Sequence, residues 1–174
     1  MLTPEQEEWI EKSLSDRIIT IVPYDTRTEE LFERVKTKIR NLLGEDVVVE
    51  HCGASSFGIS GQDEIDVSIV VSKDMFDEYI PKLEKEFGPV GSRYPDRVRF
   101  EVKEDGKKID LRIIDADHPN YTNGKIFEQY LRENHDELER YRILKEECND
   151  VTVKEYYRRK TEFINEILAK AKAA

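Results

Sequence analysis

Three acidic residues carry the chemistry most readily read from this chain. Glu64 and Asp66 stand one residue apart at the start of the run Glu64-Ile65-Asp66-Val67-Ser68-Ile69-Val70-Val71. A strand over this run points both carboxylates to the same face, because side chains at i and i+2 share a side. Like charges held together repel, and a bound cation relieves that repulsion. A third acid, Asp110, lies in Lys108-Ile109-Asp110-Leu111-Arg112-Ile113-Ile114, among apolar residues in a strand pattern where carboxylates are disfavoured. If the two strands pair, all three acids can face one point. Such a donor set suits Mg²⁺, which binds through a few carboxylates together with substrate phosphates.

Just before Glu64 the chain runs through a small-residue loop, Gly53 to Asp63. Its first nine residues hold three glycines (Gly53, Gly58, Gly61) and three serines (Ser55, Ser56, Ser60). Such a backbone can approach a ligand closely and aim N–H groups at an anion. Ser55 and Ser56 add hydroxyl groups for a phosphate, or serve as ordinary loop formers. Arg97, Arg99, Lys108 and Arg112 alternate along two strands. They offer positive charge to a triphosphate or an acidic acceptor, or to neighbouring surface acids. His51 reads as a residue packed beside a strand end.

The elements that must position these groups follow from periodicity and punctuation. Thr3-Pro4-Glu5-Gln6 is a capping box with Pro at the first helical position and opens an N-terminal helix over residues 1–14. Ile18 to Val22 reads as a buried strand. A helix capped at Thr26 and Glu29 carries Leu31, Val35, Ile39 and Leu42 on one face and ends at Gly44. Strands follow over Asp46 to Cys52 and Glu64 to Val71, the second with an apolar end that suits a central place in a sheet. Met75 to Phe87 has helical periodicity that Pro81 must kink or divide. Arg97–Lys103 and Lys107–Ile114 form a hairpin around Glu104-Asp105-Gly106. From about residue 120 to 174 the period is helical, with caps at Asp136 and Thr152. The expected order is α-β-α-β-β-α-β-β-α-α-α, an α+β domain with a mixed β-sheet, helices on one side and a helical C-terminal third, in a single domain over 1–174.

Composition limits the function. The 174 residues include 28 Lys and Arg against 38 Asp and Glu, for a formal charge of −10. That field argues against coating DNA or an anionic membrane. No apolar stretch approaches bilayer length, and the acidic start lacks the layout of a signal peptide. Cys52 and Cys148 belong to no CxxC pair, so a cytoplasmic setting is expected, without a disulfide framework or zinc site.

The loop followed by acid-x-acid, with a third acid on a later strand, resembles the nucleotidyltransferase superfamily of the DNA polymerase β type. The whole chain is most similar to the GrpB-like family within it. Val22-Pro23-Tyr24-Asp25, the helix with Leu31-Phe32, and Val49-Glu50-His51-Cys52-Gly53 resemble the family's opening pattern. Phe127-Glu128-Gln129-Tyr130-Leu131-Arg132 resembles a later helix. Leu144-Lys145, Tyr156 to Lys160, Phe163-Ile164 and Glu166-Ile167-Leu168 resemble its closing helices. The likeness runs from about Ile18 to Ala171. The chain departs from the pattern at Ala54, where a Ser is usual, at Gln62, where a Lys is common, and at Glu64, where the superfamily has Asp.

The resemblance implies a Mg²⁺- or Mn²⁺-dependent nucleotidyltransferase. Such an enzyme moves a nucleoside monophosphate from an NTP such as ATP to an acceptor not named by the sequence. Glu64, Asp66 and Asp110 would be its catalytic and metal-binding residues. Gly53, Ser55, Ser56, Gly58, Arg112 and Lys160 would hold the nucleotide. The alternatives are a non-catalytic nucleotide- or metabolite-binding module of the same fold, and a protein-interaction scaffold presenting a stripe of Tyr156, Phe163, Ile167 and Ala171.

Overall fold

The computed structural model describes residues 1–173 and has the α+β architecture expected, with helices α1 to α7 and a five-stranded mixed sheet. The described chain packs as two compact units. One comprises residues 24–59 and 63–122 and contains the sheet. The other comprises residues 1–23, 60–62 and 123–173 and is helical.

In the sheet unit, α2 (Thr28–Leu43) leads into β1 (Val48–Cys52), the short α3 (Gly53–Ser56) and β2 (Glu64–Val71). A 3₁₀ turn at Lys73–Met75 opens α4 (Phe76–Phe87), and β3 (Ser92–Arg93), β4 (Arg97–Glu104) and β5 (Lys107–Asp115) follow. The strand order is β1-β2-β5-β4-β3, so β5 is central and β2 lies beside it. The β4–β5 hairpin is antiparallel, as its Asp105-Gly106 turn requires, with Asp105 at φ 47° and Gly106 at φ 79°. The pairing of β2 with β5 is parallel and sets Asp66 directly against Asp110, and Glu64 against Lys108.

Alternation gives the sheet two unlike faces. Ile65, Val67 and Ile69 of β2, Ile109, Leu111 and Ile113 of β5, and Val98, Phe100 and Val102 of β4 point to one side. There they pack on Leu31, Val35 and Ile39 of α2 and on Ile80 and Leu83 of α4. The other side carries Glu64, Asp66, Lys108, Asp110, Arg112, Arg97, Arg99 and Glu101.

Helix α2 begins at Thr28 rather than at the Thr26 cap, because Asp25 supplies the start. Its backbone carbonyl accepts from the Thr28 hydroxyl, and its carboxylate accepts from the Arg27 N–H at 3.0 Å. Helix α4 runs unbroken through Pro81.

The helical unit holds α1 (Pro4–Ser13), most of α5 (Pro119–Glu133), α6 (His135–Glu147) and α7 (Val153–Ala173). Thr3 and Gln6 form the expected capping box of α1. Trp9 of α1 meets Tyr157 of α7 edge-on, with centroids 5.6 Å apart. Phe127, Tyr141 and Phe163 form an aromatic cluster joining α5, α6 and α7. Two expectations are corrected here. The segment Ile18–Val22 is no sheet strand. It makes only isolated bridges, Ile18 with Thr152 and Val22 with Gly61. Its backbone bonds instead to the α6–α7 turn, through Ile19 to Val151 and Asp150, because Ile19 is buried against Cys148 and Tyr156. The stripe imagined as a partner surface is internal: Tyr156, Phe163 and Ile167 are all buried. Among the described residues, no helix is long and apolar enough to cross a membrane.

Candidate functional site

Sheet register brings the expected acids onto one face, and it brings bases with them. Asp66 accepts a hydrogen bond from Arg112 Nη2 at 3.0 Å. Asp110, almost wholly buried, accepts from Arg99 Nε at 2.9 Å. Glu64 pairs with Lys108 Nζ at 3.0 Å. Each carboxylate of the expected triad thus has its own cation, and the six groups sum to zero charge. Among the described residues, no group of three or more His, Cys, Asp or Glu is placed to hold a metal ion.

The electrostatics follow from burial and neighbours. Burial pushes the Glu64 carboxyl above its ordinary value, and the charge of Asp66 adds to the push, against the opposing pull of Lys108. For Lys108, burial disfavours the ammonium, but its bond to Glu64 and the surrounding acids outweigh burial and raise its pKa. Arg112 Nε is buried and makes no hydrogen bond, so the guanidinium keeps a desolvated donor in reserve beside Asp66. A buried donor without an acceptor is destabilising, which makes it a feature in need of explanation.

Gly53 fixes how closely the loop approaches this face. It sits at φ +69°, where an L side chain is strained, and a Cβ there would lie 2.1 Å from Asp66 Oδ2. Only glycine lets the backbone pass over that carboxylate. Gly58, at φ +68°, closes the short turn after α3.

The two serines are engaged within the loop. Ser56 Oγ donates to the Gly53 carbonyl at 2.8 Å, and Ser55 Oγ lies 2.9 Å from His51 Nε2. The structure therefore groups Glu64, Asp66, Asp110, Arg112 and Gly53, while the serine hydroxyls bond to the loop and to β1. Lys160 belongs to the helical unit, where its ammonium lies 5.4 Å from the centre of the Tyr157 ring and 5.7 Å from that of Tyr156.

Two arrangements escaped sequence reading. Lys107, buried at the start of β5, bonds to Asp25 and Asp63 and ties the α2 entry to the β2 entry. Burial disfavours its charge, yet the two carboxylates raise its pKa on balance. A lysine at a core-facing strand position was the available signal. The second is the His51–Ser55 contact, whose only sequence trace is a spacing of four across a strand-to-helix junction.

A family profile described as "GrpB protein" matches residues 18–170. A UPF0157 protein of Halalkalibacterium halodurans is 31% identical over 163 residues, spanning 89% of this chain and 83% of the relative. The crystal structure of conserved protein GrpB from Enterococcus faecalis superposes with a TM-score of 0.66 at 23% identity. That match covers 87% of this chain and 96% of the other. A cytoplasmic RNA terminal U-transferase gives a TM-score of 0.44 at 10% identity, over 78% of this chain and 43% of its own.

Proposed function

The chain belongs to the GrpB protein family, and from that premise we propose that the polar face of its sheet binds the phosphate groups of a nucleotide. The observation that carries this reading is Arg112. One of its nitrogens holds Asp66 and another, Nε, is desolvated and without an acceptor. A planar guanidinium matches a phosphate oxygen, and a turn of the partly exposed side chain that brings Nε to one would satisfy the orphaned donor. Lys108 stands on the same face and has further N–H donors beyond the one directed at Glu64.

The Mg²⁺ or Mn²⁺ ion that the superfamily resemblance implies does not fit these side chains as they are arranged. A divalent ion gains most from carboxylates whose charge is uncompensated. Here Glu64, Asp66 and Asp110 each already hold a cation within about 3 Å. Phosphate recognition by the chain's own cations requires no metal. A second reading is metal-dependent nucleotidyl transfer from an NTP such as ATP to a separate acceptor. It is favoured by the register of Asp66 against Asp110, with Glu64 two residues away, and it requires the three bases to release their acids.

Titration of the full chain with ATP, in EDTA and then in Mg²⁺, separates the readings. Metal-free binding that Arg112→Gln weakens by roughly 10- to 100-fold supports the phosphate site, that being the worth of one charge-assisted hydrogen bond. Binding that requires Mg²⁺ and is accompanied by pyrophosphate release assigns the transferase instead. Absence of ATP binding under both conditions overturns both.

A further inference from the structure

We propose that Glu29, His51 and Ser55 form a relay that makes Ser55 a nucleophile toward activated carboxylic or phosphoric esters. The relay lies within the sheet unit, apart from the acid–base pairs of the polar face, and does not rest on the phosphate reading. β1 ends at Cys52, and the left-handed turn at Gly53 folds α3 back on the strand. That turn brings Ser55 Oγ to 2.9 Å from His51 Nε2, the separation of a nucleophile from its general base. The imidazole is held in plane by Phe32, on which it stacks with centroids 4.7 Å apart at 19°. Its other nitrogen, Nδ1, faces Glu29 Oε2 at 3.5 Å, from the first turn of α2.

The order of these groups sets the direction of proton flow. A carboxylate on the Nδ1 side favours the tautomer with its proton on Nδ1, which leaves Nε2 to accept from the Ser55 hydroxyl. The exposed Glu29 side chain closes the remaining gap by rotation, and such contacts are often long without substrate. In the step itself the Ser55 Oγ–H bond breaks and its proton passes to His51 Nε2. A new bond forms from Oγ to the carbonyl carbon or phosphorus, and the leaving group departs with the bonding electron pair. A serine that merely ties down the loop has the same resting hydrogen bond but no such reactivity.

A fluorophosphonate probe tests the difference directly on the full chain. Oγ–P forms as P–F breaks, fluoride leaves, and the adduct mass locates the modified residue. Labelling at Ser55, slowed by about 100-fold or more in His51→Gln, is the expected result, since a general base contributes on this scale. Glu29→Gln alters an exposed side chain outside the core, and a drop of several-fold in labelling rate is expected for it even if the His51 variant folds poorly. No adduct on Ser55, or labelling unchanged in Glu29→Gln or in a folded His51→Gln protein, overturns the relay.

Discussion

The two faces of the sheet are built by the same strands and do opposite work. On the helix-covered side, Ile65, Val67, Ile69, Ile109, Leu111 and Ile113 are wholly buried among apolar neighbours. On the other side, residues one position away in each strand include Glu64, Asp66 and Asp110, held by Lys108, Arg112 and Arg99 respectively. The apolar face stabilises without direction, by removing surface from water. The polar face gains little net stability, because desolvating its charges offsets most of their attraction. Under the phosphate reading proposed above, the fold belongs to one face and the binding chemistry to the other.

Substitutions at adjacent positions can break or sharpen that division. The largest effect is expected on the apolar side, where Leu111→Ala leaves a cavity at a fully buried position. It should destabilise by about 2–5 kcal/mol in chemical denaturation, with ATP affinity of the folded protein unchanged. A loss of affinity there would show the two faces to be coupled. Next comes Gly53→Ala, which combines backbone strain with a Cβ driven into Asp66. About 2–4 kcal/mol of stability should be lost, and ATP binding with it, since Asp66 must move away from Arg112. Retained binding would mean that the Asp66–Arg112 pair is not part of the site.

The smallest effect concerns protonation of Glu64. Its folded-state pKa is raised, so the folded protein holds that proton to higher pH than the unfolded chain does. Wild-type stability therefore falls as pH climbs from the ordinary glutamate pKa through the raised one. Gln cannot ionise and removes this loss. The stability of Glu64→Gln relative to wild type should thus increase as pH rises above the ordinary glutamate value of about 4, as read by denaturation at each pH. A difference that is flat or falls with pH would place Glu64 in better-solvated surroundings than its burial indicates.

Much of this division is legible in the linear chain, because strand alternation is a local property. The acid-x-acid start of β2, the Asp-Gly hairpin and the apolar rows all follow from spacing of two. The α1 cap and the Thr152 cap of α7, whose hydroxyl accepts from the Glu155 N–H, are equally local. What spacing does not carry is register between strands distant in sequence. Arg112 stands two residues from Asp110, yet it binds Asp66, 46 positions away, because β2 and β5 run parallel. The cation held by each acid is thus a product of the sheet. Ile18–Val22 fails for a related reason. An apolar run announces burial but not the surface that buries it, and here helices and a turn do so. His51 and Ser55 are four apart, but the helix pairing rule does not apply where a strand gives way to a left-handed glycine.

The helical unit is assembled from both ends of the chain, with α1 seated on α7 and the whole sheet unit lying between them in sequence. During synthesis, every residue of the sheet unit has been made once residue 122 is added, whereas Trp9 must wait for Tyr157. At ordinary elongation rates that delay is on the order of ten seconds. Through that interval the first segment, including the apolar Ile10, remains on the nascent chain without its final contacts. Its strongly acidic neighbours Glu5, Glu7, Glu8 and Glu11 keep such a waiting segment hydrated and apart from other growing chains.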